Sequence, residues 1–130
     1  MDVNWLAVIV AAIVKFGIGA VWFTALFGAR WRALMNVPEG ASQEGLVPAM
    51  VVQIVGDLIM AYVLALIVRN GMPGLGGGIL MGFAVWLAFV ATLMVASIFY
   101  ERKKPELVAI NGGYQLVGIV VMGAILGVWL

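Results

Sequence analysis

Gln53-Ile54-Val55-Gly56-Asp57-Leu58-Ile59-Met60-Ala61-Tyr62 places a carboxylate near the middle of an apolar run extending from about Leu46 to Val68. A run of about 23 residues, rising about 1.5 Å each, crosses a hydrocarbon core of about 30 Å as a single helix. An ionised group at the centre of a bilayer costs at least about 2.5–3.5 kcal/mol, so Asp57 needs a partner, a wet cavity or a proton. The apolar run 3–27 carries the other charge at comparable depth, Lys15. Counted inward from the positively charged ends, Lys15 lies about twelve residues deep and Asp57 about ten, on consecutive antiparallel helices. The two are expected to meet near the midplane.

Composition fixes the class of molecule. The chain is 65% hydrophobic and 10% charged, with a mean hydropathy of +1.18, far outside the range of soluble domains. Its partner is first of all the lipid bilayer. A net charge of +1 gives no field that recruits nucleic acid. With no Cys and no His, disulfides, thiolate chemistry, His acid–base catalysis and the usual zinc and haem ligands are all excluded. No metal and no cofactor are therefore expected. Asp2 and Asn4 stand where a signal peptide would be positive, so the first run is expected to be a retained helix.

Four apolar runs, 3–27, 46–68, 76–100 and 106–130, predict an all-α membrane protein: one transmembrane domain of four helices in two consecutive hairpins. Residues 28–45 read as the one sizeable loop, with Arg30, Trp31 and Arg32 and then a polar turn through Asn36, Pro38, Glu39 and Gly40. The other connections are short: Asn70 to Gly74, and Glu101 to Lys104 before Pro105, a favoured first helical residue. Arg30, Arg32, Arg102, Lys103 and Lys104 fall at one face and only Arg69 at the other. The positive-inside rule then puts both termini outside and the two basic loops in the cytoplasm, in a bacterial inner membrane. Trp5 and Trp129 suit the outer interface, Trp31 and Tyr100 the inner one.

Glycines recur at spacings that let helix backbones approach closely in lipid: Gly74, Gly78 and Gly82 in the third run, Gly123 and Gly127 in the fourth. Two matches hint at a parallel internal repeat, Gln53-Ile54-Val55-Gly56 with Gln115-Leu116-Val117-Gly118, and Ala20-Val21-Trp22 with Ala84-Val85-Trp86. Asn111, Tyr114, Gln115 and Gly118 share one helical face, expected to point inward. Asn111, Tyr114 and Gln115, with Lys15, Asp57, Gln53 and Thr92, are the candidates for an ion or substrate path. The structural alternative is a salt bridge that sets helix register, with the amides and the phenol as interhelical glue. No nucleophile–base pair or carboxylate dyad is visible, so an enzyme is not expected.

The segments Val3-Asn4-Trp5-Leu6-Ala7-Val8, Gly19-Ala20-Val21-Trp22-Phe23 and Gly82 to Trp129, above all Asn111-Gly112-Gly113-Tyr114, resemble a known family. It is the small bacterial and fungal membrane family called domain of unknown function 1761. The resemblance implies four membrane helices and no settled activity. Gln115 stands where the resemblance leads one to expect His, and Lys15 and Asp57 where it leads one to expect small or neutral residues. Two readings of function follow: an oligomeric transporter or ion- or proton-conducting protein built on Lys15 and Asp57, or a non-catalytic accessory subunit of a larger membrane complex.

Overall fold

The computed structural model describes residues 3–35 and 46–129. They form α1 (Trp5–Leu26), α2 (Gly28–Met35), α3 (Leu46–Asn70), α4 (Leu75–Tyr100) and α5 (Pro105–Trp129), with no strand among the described residues. All but the short α2 are long and apolar enough to cross a membrane. The chain is an all-α membrane protein whose four spans lie within a residue or two of the expected runs.

One expectation needs correcting. Residues 28–35, read as the start of a loop, are helical. Ala29, Arg30, Arg32, Ala33 and Leu34 are strong helix formers, and hydropathy could not reveal a helix too short and too polar to cross a membrane. Arg30 ties α2 down by a two-pronged ion pair with Glu106 in the first turn of α5. The carboxylate beside it raises the Arg30 guanidinium further above its already high ordinary pKa. The expected polar turn through Asn36, Pro38, Glu39 and Gly40 lies outside the described residues.

The spans are capped as their sequences require. The Asn4 side chain accepts from the Ala7 N–H at 3.2 Å, capping α1, and donates to the Trp129 carbonyl at the far end of α5. Gly74 precedes α4 with φ +96°, a conformation that suits glycine, and its N–H donates to the Gly127 carbonyl at 3.1 Å. Two stretches are wound as π-helix, Trp22–Leu26 closing α1 and Trp86–Ala91 in the middle of α4. Each begins at the tryptophan of an Ala-Val-Trp match, and each indole donates to a carbonyl of α5 at 3.0 Å, Trp22 to Ile110 and Trp86 to Gly112. The two matches therefore share local geometry; a repeat relating whole halves is a larger statement.

Helix α5 packs against each of the other three spans. Against α4 the contact is backbone to backbone. A Cβ on Gly78 would collide with the Gly123 carbonyl, one on Gly123 with that of Gly78, and one on Gly127 with that of Gly74. Gly82 faces the Ile119 carbonyl in the same way. This is the small-residue packing that lipid favours, where association has no hydrophobic drive and relies on close contact. Gly74 contributes its carbonyl and its turn rather than a cramped Cα.

The packing divides the bundle across its length. Val3, Ala7, Val8, Ala11 and Ala12 of α1 and the segment before it, Ala61, Leu64, Ala65 and Val68 of α3, and Ile119, Met122 and Leu126 of α5 form one continuous buried cluster. All of it lies in the half that holds Asn4 and Trp129. The half that holds α2 and the Glu101–Lys104 turn contributes no buried residue to that cluster and holds two clefts with polar residues in their walls.

Candidate functional site

Lys15 and Asp57 meet where those halves join. The Lys15 ammonium donates to Asp57 Oδ1 at 2.8 Å, and neither side chain has any exposure. Lys15 Nζ also donates to Tyr114 Oη at 3.0 Å and lies 4.5 Å from the centroid of that ring, within cation–π range. The Tyr114 hydroxyl in turn is directed at the Lys15 carbonyl, 3.4 Å away. Gln53, one turn from Asp57 on α3, donates its amide to the same Oδ1 at 2.9 Å. Asp57 Oδ2 is buried with no hydrogen-bond partner among the described residues.

The neighbouring sequence makes room for this cluster. Gly118, one turn beyond Tyr114, lies under the lysine stem, where an added Cβ would come within 2.9 Å of Lys15 Cγ. Gly19, one turn beyond Lys15, lies under the Tyr114 ring, where a Cβ would come within 3.0 Å of the hydroxyl. Each helix therefore offers a long polar side chain and, one turn away, a glycine that receives the other helix's side chain. Antiparallel α1 and α5 interlock through these two reciprocal fits. The geometry holds the ammonium against the midplane carboxylate without solvent contact.

Two clefts lead toward the cluster from the α2 end. One, of about 500 Å³, is lined by Phe16, Phe23, Trp31, Met50, Gln53, Lys103, Leu107 and Asn111, among others. The second, of about 300 Å³, shares Phe16, Phe23, Met50 and Gln53 and reaches Gly19 and Tyr114. Gln53 and Tyr114 thus face a cleft on one side and hold the ion pair on the other. Two further grooves among the described residues, of about 430 and 520 Å³, are lined almost wholly by apolar side chains such as Ile59, Val63 and Phe89, or Val10, Leu75 and Ile125.

Of the residues expected from sequence, Lys15, Asp57, Gln53 and Tyr114 form one hydrogen-bonded group, and Asn111 lines the larger cleft. Gln115 is partly buried, its Oε1 without a partner among the described residues. Thr92 is not brought to the group. It is exposed on α4 and its hydroxyl donates to the Ala88 carbonyl of its own helix at 2.8 Å. Sequence reasoning did not assign Gly19, Gly118, Lys103 or the aromatic walls to the site. The glycines one turn from Lys15 and Tyr114, and Phe16 seven residues before Phe23 on one helical face, were the available signals.

The family profile described as "Protein of unknown function (DUF1761)" matches residues 6–127. The chain belongs to that family. No curated protein and no solved structure matches it. Family membership brings no activity with it, so the chemistry of the site stands on its geometry.

Proposed function

We propose that this protein is a small non-enzymatic membrane transporter whose working centre is the Lys15–Asp57 pair. The observation that carries the reading is the position of that pair. It is completely buried at mid-span, and the two residues that bond to it, Gln53 and Tyr114, also wall a cleft open toward one end of the bundle. A salt bridge serving register alone has no need of an approach. The clefts on the α2 side of the pair are lined in part by Gln53, Asn111 and Tyr114, and the grooves on its other side almost wholly by apolar side chains, which favours approach of a polar solute from one side. With the five clustered Lys and Arg in the cytoplasm, the clefts open inward and both termini lie outside, in a bacterial inner membrane. Four helices enclose little volume, and a homo-oligomer would complete the walls.

The test is flux through reconstituted vesicles. The parent protein is expected to move protons or a small solute, and Asp57→Asn to lose that movement or its dependence on pH. Unchanged flux in the variant, or none in the parent across proton, cation and small-solute assays, overturns the reading.

An accessory-subunit role is favoured by one observation, the exposure of the α4 side chains that do not face α5. Only 6% of its most apolar stretch is buried, and Phe83, Phe89 and Phe99 point outward. Stoichiometric co-purification with unrelated membrane chains would support that role.

A further inference from the structure

We propose that the α2-end cleft binds an aromatic monocarboxylate, and that its carboxylate pairs with Lys15 when Asp57 has taken up a proton. This rests on the transport reading above and names the substrate class and coupling ion of the same site.

Charge complementarity sets the sign. The rim of the cleft carries a cation, Lys103, held by a loose 3.5 Å contact to Glu101 and otherwise half-exposed. The far end leads through Gln53 and Tyr114 to a second cation, Lys15. Among the described residues the carboxylate at the inner end is Asp57, and its charge is already engaged with Lys15. Helix α4 brings no charged side chain to the group, since none occurs between Leu75 and Tyr100. Among the described residues, Lys15 of α1, Asp57 of α3 and Tyr114 of α5 are therefore the titratable groups in contact at the site, with Gln53 as a neutral contact. An anion drawn inward by Lys103 meets a lysine that Asp57 already satisfies.

Competition for that lysine provides the coupling. A proton from water in the cleft adds to the Asp57 carboxylate, whose Oδ2 has no partner among the described residues, and the carboxyl group becomes neutral. Lys15 keeps its charge and turns to the incoming carboxylate, so the buried site is neutral in both states, as its lack of solvent demands. One proton and one anion occupy the site together and leave together, moving no net charge. The walls select the body of the ligand. Phe16, Phe23 and Trp31 line the cleft, and Tyr114, edge-to-face with Phe23 at 5.3 Å, continues the aromatic wall to the lysine. Asn111, whose side chain lines the cleft, would hydrogen-bond a ring substituent.

The experiment measures equilibrium binding of 4-hydroxybenzoate to the purified protein in nanodiscs across pH, together with its uptake into proteoliposomes. Binding is expected to tighten as pH falls, and to weaken at least tenfold in Lys15→Met. Asp57→Asn, a mimic of the protonated carboxyl, should bind as tightly as the parent at low pH and lose the pH dependence. Uptake should follow an inward pH gradient and ignore an imposed membrane potential. Should Asp57→Asn not accumulate as folded protein, the parent decides: binding that fails to tighten as pH falls overturns the proposal. So does equal binding of octanoate, or preference for benzylamine. Binding without uptake would retire the transporter and leave the site. Flux of some other solute without 4-hydroxybenzoate binding would retire this inference and leave the transporter.

Discussion

Removing one partner of the Lys15–Asp57 pair leaves the other charged, dry and unanswered in the middle of a membrane. Lys15→Met and Asp57→Asn are each expected to destabilise the protein by about 3–5 kcal/mol, whereas the double variant should recover most of that loss. Unfolding by SDS titration from mixed micelles checks both statements, and equal losses in single and double variants would contradict them. Gly118→Val is expected to push the lysine stem off its seat and cost about 1–3 kcal/mol, by overpacking alone, with every charge retained. The meeting of Lys15 with Asp57 could be read from the sequence because depth in a bilayer is counted along the chain, and consecutive spans run antiparallel. The reciprocal seats at Gly19 and Gly118 could not, since they depend on the rotation of α1 against α5, and hydropathy is silent about rotation. Thr92 illustrates the same limit from the other side. A hydroxyl within a span was read as facing inward, yet it satisfies itself on its own helix and faces out.

At the scale of the helix, the glycines of α4 and α5 divide into those that receive a backbone and those that do not. Gly78→Ala should cost about 1–3 kcal/mol because its Cβ would strike the rigid Gly123 carbonyl. Gly76→Ala, two residues away where a Cβ meets nothing, should leave stability unchanged or raise it by up to about 1 kcal/mol. The same unfolding titration distinguishes them, and similar losses at both positions would show that the ridge is not the contact. The span boundaries were legible because hydrocarbon admits only a long apolar helix with every backbone group paired internally. Helix α2 was hidden by its polarity. The π-helical turns at Trp22 and Trp86 were hidden because a change of winding leaves the apolar composition of a span unaltered. What anchors them, an indole reaching a carbonyl of α5, is a tertiary contact.

For the molecule as a whole, the native absence of cysteine makes orientation directly measurable. In intact cells, Lys103→Cys should resist a membrane-impermeant maleimide and Met72→Cys should react, because the Glu101–Lys104 turn belongs to the basic end and the turn after α3 to the opposite one. The reverse pattern would invert the bundle and turn its clefts outward. The buried cluster at one end and the polar-walled clefts at the other were not foreseen, since a cleft depends on how four helices diverge and no single helix carries that information. Their arrangement has a consequence in the mechanics of the bilayer. Closing the Phe16–Phe23–Trp31 cleft would narrow the protein in one leaflet only, while the alanine- and glycine-packed half would keep its girth in the other. A shape change confined to one leaflet does work against lateral pressure in that leaflet. The balance between open and closed forms should therefore shift when lipids with large headgroups replace those with small ones on the clefted side, and hardly at all when the exchange is made on the other.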